Sequence, residues 1–228
     1  MNRDPVFDRP PGWMHAGYLA RVVSLDDPDK RNRVQVRLIA FNDADQQDAP
    51  MWARVVAPFA GSDRGMFFLP DVDDEVLVVF MNGDARFPIV LGGLWNGNAS
   101  SPADIESGGT NRYKRIKSKN GVVITMDDQQ GQETLQMETP GGQKVTLKDP
   151  GTITVEDSNG NSVKLESAGI TVTASAKVTV NASQLAISAG MVTVDAGMSK
   201  FSGVVQADTV ISNSVVSASY TPGAGNIW

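Results

Sequence analysis

The chain has 228 residues, 41% of them hydrophobic and 20% charged, with no cysteine, one histidine and a formal net charge of −6. That length allows one or two domains of ordinary globular composition. Lack of cysteine excludes disulfides, thiolate zinc sites and thiol nucleophiles, and the lone His15 excludes a histidine-pair metal site or an HExxH helix.

The first 30 residues hold no apolar stretch of the roughly 7–15 residues that a secretory signal needs. The longest apolar run, Val76–Met81, is far shorter than the roughly 20 residues of a spanning helix. A soluble protein made in the cytoplasm is therefore expected. Residues 1–16, with Pro10-Pro11-Gly12-Trp13, read as an N-terminal arm that straps onto a neighbouring element.

Residues 17–96 predict five short strands, near 18–23, 33–40, 52–57, 75–81 and 87–91. In the second, Val34, Val36 and Leu38 share one face while Arg33, Gln35 and Arg37 share the other, the mark of a half-buried strand. Asn82-Gly83 joins the fourth and fifth, a hairpin signal because both positions favour φ > 0. Five such strands fit a small closed barrel, of either the OB or the SH3-like kind.

Composition then changes. Up to Lys119 there are 15 Lys and Arg against 16 carboxylates; beyond it there are 5 Lys, no Arg and 10 carboxylates. Only Phe201, Tyr220 and Trp228, of fifteen aromatics, lie past residue 119. Residues 97–119 read as a linker or neck, starting in the loop-rich segment 96–111.

From Gly121 onward apolar residues recur in period-2 pairs: Ile124/Met126, Leu135/Met137, Val145/Leu147, Ile153/Val155, Val163/Leu165, Ile170/Val172, Val178/Val180, Leu185/Ile187 and Val192/Val194. Gly, Asn, Asp and Ser punctuate the gaps, so residues 120–219 predict a repetitive β-structure without helices. About twelve layers at ~4.8 Å would make a needle on the order of 60 Å. The small inward residues, almost free of aromatics, suit a narrow axis shared by three copies that close one another's edges. Val172, Val178, Val180, Ile187, Val192 and Val194 are the expected axis residues.

The barrel carries Trp52-Ala53-Arg54-Val55, Phe59-Ala60-Gly61, Gly65, Leu69-Pro70, Asp73-Asp74-Glu75-Val76, Asn82-Gly83-Asp84 and Phe87-Pro88-Ile89-Val90-Leu91-Gly92. This string resembles the OB-fold domain of phage baseplate assembly protein V and of the VgrG spikes of type VI secretion systems. Asp73 stands where that family usually has glycine. The resemblance implies an all-β protein, an OB-fold barrel followed by an intertwined trimeric β-helix needle. It implies a non-enzymatic central spike of a contractile phage tail or related injection system, assembled into the baseplate and driven through a target cell envelope. A baseplate hub protein is the expected partner at the OB-fold end. Some relatives bind a metal through His-x-His near the needle end; with no histidine after His15 no metal or other cofactor is expected here. The segment 220–228 is then expected to dock a PAAR-type tip protein through Tyr220, Ile227 and Trp228.

Other chemistry fits less well. Asp73, Asp74 and Glu75 alternate across a strand entry and do not converge as an acid–base pair. Asp26, Asp27 and Asp29 read as a turn, lacking the Gly and bidentate Glu of a calcium loop. Asp127-Asp128 and Glu156-Asp157 are expected to face water at strand ends. Arg112, Lys114, Arg115, Lys117 and Lys119 surround Tyr113, a basic cluster that makes an OB-fold single-stranded nucleic-acid binder the natural rival. The acidic chain opposes counterion-release affinity, so a solvated collar or a contact to an acidic partner is the expected reading, and nucleic acid is not an expected partner. A polysaccharide-processing trimeric tail fibre is the other alternative, disfavoured by the scarcity of aromatics for sugar stacking.

Overall fold

The computed structural model describes residues 13–41 and 49–218. The chain divides into two units, Met1–Lys177 and Val178–Trp228.

Five strands of the first unit close a barrel: β1 (Tyr18–Ser24), β2 (Val34–Leu38), β3 (Met51–Val55), β6 (Glu75–Phe80) and β7 (Pro88–Gly93). Their order is β1-β2-β3-β7-β6, with β6 returning to β1 and β3 running parallel to β7. Between β3 and β6 a two-rung finger projects, β4 (Ala60–Gly61) against β5 (Arg64–Gly65). Alternation sends one side of every barrel strand inward. Ala20 and Val22, Val34 and Val36, Ala53, Val76 and Val78, and Val90 are wholly buried. Leu38 and Phe80 complete this core. Val is well suited here, because its branched side chain fits a narrow pleated interior.

Two turns hold the barrel in ways the sequence only hinted at. Asp27 is buried at the β1–β2 connection and accepts backbone N–H groups from Asp29 (3.1 Å), Arg31 (2.9 Å) and Arg33 (3.2 Å). The Arg33 guanidinium donates to both its oxygens, Nη2 to Oδ1 at 2.6 Å and Nε to Oδ2 at 3.1 Å. That guanidinium, with the backbone donors, holds the Asp27 carboxyl well below the usual carboxylate range. The triplet Asp26, Asp27 and Asp29 is thus a turn locked by a charged clasp. Before β6, Asp73 adopts φ 75°, the left-handed region glycine prefers, and its N–H donates to the Val22 carbonyl at 2.9 Å. Asn82 and Gly83 have positive φ as expected (52° and 76°), but they sit in a longer connection, residues 81–87, rather than a two-residue hairpin.

Beyond the linker come seven strands: β8 (Tyr113–Lys117), β9 (Val123–Asp127), β10 (Thr134–Glu138), β11 (Lys144–Lys148), β12 (Thr152–Glu156), β13 (Ser162–Glu166) and β14 (Gly169–Thr173). They form one antiparallel sheet in chain order, each strand paired to its predecessor. Winding as a β-helix is not what this stretch shows. Short turns fold each strand straight back, as only antiparallel pairs allow. Gly142 (φ 82°) and Gly160 (φ 83°) take left-handed conformations in two of these turns. In the second, Asp157 accepts the Asn161 side-chain amide at 2.8 Å and the N–H groups of Asn161 (2.9 Å) and Asn159 (2.8 Å). These hydrogen bonds lower its carboxyl pKa to about 2. The sheet also starts earlier than Gly121, because β8 lies inside the expected 97–119 neck. Among the described residues after Thr173 no strand is formed within the chain.

Candidate functional site

Register across the seven-stranded sheet aligns the period-2 pairs into two transverse rows. One runs Ile116–Ile124–Met137–Val145–Val155–Val163–Val172. The other runs Lys114–Met126–Leu135–Leu147–Ile153–Leu165–Ile170. Rows two residues apart share a face, so this face is apolar except for Lys114 at its start. The opposite face carries Arg115, Thr125, Gln136, Thr146, Thr154, Lys164 and Thr171 in a matching row.

Exposure is inverted relative to a normal half-buried sheet. Along β9, β10 and β12 the apolar members are exposed while the polar residues between them are half-buried. Met137 is 43% accessible and Val155 46%. One side of this face forms a trough of about 810 Å³ floored by Met126, Leu135, Leu147, Ile153 and Leu165. Asp127, Asp128, Glu133, Lys148, Asp149 and Glu166 are among its other lining residues. A contiguous apolar surface of this extent marks an interface.

Of the expected axis residues, Val172 stands on the first row beside Val163. Val178, Val180, Ile187, Val192 and Val194 lie in the second unit, each at least 59% exposed. The expected tip contacts Tyr220, Ile227 and Trp228 fall outside the described residues.

The basic cluster is largely satisfied within the chain. Lys114 Nζ bonds Asp128 Oδ2 at 2.8 Å and the Asn111 carbonyl at 2.7 Å. Arg112 lies 2.7 Å from Asp127, an ion contact not aligned as a hydrogen bond, and 3.7 Å from Glu106. Its guanidinium also covers the Tyr113 ring at 4.5 Å. Arg115 donates to the Pro102 carbonyl (3.1 Å) and the Thr125 hydroxyl (3.1 Å). These contacts lace the linker to β8 and β9. Within the N-terminal arm, Met14 donates to the Gly83 carbonyl at 2.8 Å, and the His15 and Trp13 rings pack over that glycine. His15 is thus part of a strap.

An OB-type barrel followed by a sheet that leaves its apolar side open defines the class as an all-β protein that assembles through that face. Residues 18–95 match the type VI secretion system/phage-baseplate injector OB domain, and residues 134–198 match the phage baseplate V C-terminal trimerisation domain. The chain belongs to the family of phage baseplate V and VgrG-like spike proteins. It is 25% identical to the type VI secretion system spike protein VgrG1a of Pseudomonas aeruginosa over 50% of its length and 19% of the relative's. It is 31% identical to spike protein VgrG3 of Vibrio cholerae over 37% of its length and 9% of the relative's. The actin cross-linking toxin VgrG1 of Vibrio cholerae is 27% identical over 47% of this chain and 10% of its own length. The matches thus span from about a tenth to a fifth of these curated relatives.

Proposed function

We propose that three copies of this chain form the central spike of a contractile injection machine, acting mechanically with no reaction of its own. The open apolar double row of β8–β14 carries this reading. Covering such a contiguous apolar face is favourable, and each half-exposed side chain covered contributes about 1 kcal/mol. Strand length supports the number of copies. Five residues at ~3.4 Å make a side of about 17 Å, and a triangle of that side has its centre about 5 Å from each sheet. That is half the roughly 10 Å separation of packed sheets, whereas a square would leave a void along the axis. Two facing sheets would also satisfy the spacing; the match to a trimerisation domain over 134–198 favours three.

On this reading residues 17–96 are the hub-facing barrel, 97–112 the neck, and the needle runs from β8 at Tyr113 to residue 219. Val178, Val180, Ile187, Val192 and Val194 continue the axis as three intertwined strands, wound as a β-helix. The segment 220–228 seats a PAAR-type tip protein through Tyr220, Ile227 and Trp228. The particle is a virion tail baseplate or a related injection device, and the polar exterior crosses the envelope by force rather than by partitioning.

Light scattering behind a sizing column tests the assembly. The expected mass is three times 24.3 kDa. A monomer whose meander is folded would overturn the proposal.

A further inference from the structure

The barrel carries a second surface that the spike reading does not use. OB-folds take ligands across strands 2 and 3 and the loops between strands 1–2 and 4–5. In this barrel that region holds Arg31 and Arg33 from the β1–β2 connection, Trp52 and Arg54 from β3, and Arg86 and Phe87 before β7. They line a cleft of about 300 Å³. Arg31 and Arg54 also line a neighbouring cleft of about 720 Å³, which runs to Val56, Arg64, Phe67 and Phe68 beside the β4–β5 finger. The two clefts make one groove with five arginines and a single carboxylate, Asp63, among its lining residues.

The arginines divide by what already holds them. Arg33 is clasped by Asp27 and Asp29, and Arg86 by Asp84 at 2.6 Å. Arg31 reaches Asp29 only at 4.0 Å, with its side chain 72% exposed. Arg54 and Arg64 are exposed, with no ion pair among the described residues. The rings divide too. Arg33 lies over Trp52 at 5.7 Å and Arg86 over Phe87 at 5.6 Å, so each of these rings has an arginine on one face. Phe67 and Phe68, at 69% and 63% exposure, are open.

We propose that this groove docks an acidic protein segment, whose carboxylates sit on Arg31, Arg54 and Arg64 and whose apolar side chain packs against Phe67 and Phe68. Arginine presents a planar fork that carboxylates match in two hydrogen bonds. Arginine and aromatic residues are what protein interfaces concentrate at their centres. Single-stranded nucleic acid stacks successive bases on rings spaced along a groove. Here Trp52 and Phe87 each already carry an arginine on one face, and the open pair, Phe67 and Phe68, are chain neighbours in one of the two clefts. The site belongs to the barrel alone and stands whether or not the chain trimerises.

The test uses the full chain and fluorescein-labelled probes, read by fluorescence anisotropy. The probes are the peptide Glu-Leu-Glu-Phe-Glu-amide carrying fluorescein on its amino terminus, its Gln-for-Glu counterpart, and an oligothymidylate of about eight nucleotides. The Glu peptide is expected to bind about tenfold tighter than the Gln peptide, and R54E/R64E to lose that margin. Phe67→Ser with Phe68→Ser should weaken both peptides, with the barrel's melting transition preserved. Failure of the Glu peptide to bind, equal binding of the two peptides, or full binding by R54E/R64E would overturn the proposal. So would an oligothymidylate that binds tighter than the Glu peptide and is released by R54E/R64E, which gives the groove to nucleic acid.

Discussion

The barrel and the seven-stranded sheet obey the same alternation and reach opposite results. In the barrel β6 closes back on β1, so Val22, Val36, Val76 and Val78 are wholly buried within one chain. In the sheet β8 and β14 remain edges, and the equivalent apolar positions are open, Val155 at 46% and Met137 at 43%. Closure decides whether a period-2 pattern makes a core or an interface. The first region is equipped to fold alone; the second has an apolar face that only another surface can cover.

Charge placed on the open face should separate the two regions most sharply. Val155→Asp sets like charges against one another on a dry shared surface, and the proposed trimer is expected to be lost from a sizing column at all accessible concentrations. The barrel core in the same variant should retain its melting transition. Val178→Asp and Val194→Asp are expected to prevent assembly in the same way, and normal trimers carrying either change would break the shared axis there. The converse substitution, Val36→Ala, leaves a cavity in the barrel and should cost about 2 kcal/mol in urea denaturation without changing the native mass.

A smaller effect sharpens the barrel's own account. Because the folded Asp27 carboxyl is held below its unfolded value, its stabilisation is complete above about pH 4 and fades as pH falls further. Asp27→Asn should lower barrel stability at neutral pH and flatten its acid dependence between about pH 4 and pH 2. Unfolding curves at several pH values check both. The smallest effect is a gain. Asp73→Gly relieves a left-handed side-chain conformation and should raise barrel stability by about 1 kcal/mol.

Much of this contrast was legible in the residues. All five barrel strands and every apolar pair from Ile124/Met126 to Ile170/Val172 follow from alternation, which depends only on local geometry. Partner choice was less legible. Turns as short as Pro140-Gly141-Gly142 are a hairpin length, a signal for an antiparallel meander that the repeat spacing obscured. Strand β8 was missed because Lys114, Arg115 and Lys117 dominate it, leaving Ile116 as its one aliphatic residue on the apolar face. The turn at Asp26, Asp27 and Asp29 was legible, but the clasp of Arg33 on Asp27 that locks it was not, because it joins residues on either side of the turn. The barrel groove was invisible for a similar reason, since Arg31, Arg54, Arg64 and Phe68 converge only after closure.

The most direct test of the shared face uses the chain's freedom from cysteine. Val155→Cys and Thr154→Cys place single thiols on opposite faces of β12, at adjacent positions. In one chain Val155 is the more open of the two. In the assembled protein the account predicts the reverse, with maleimide labelling Cys at 154 on the order of 100-fold faster than at 155 and the difference vanishing in denaturant. Faster labelling at 155, in native protein, would contradict it.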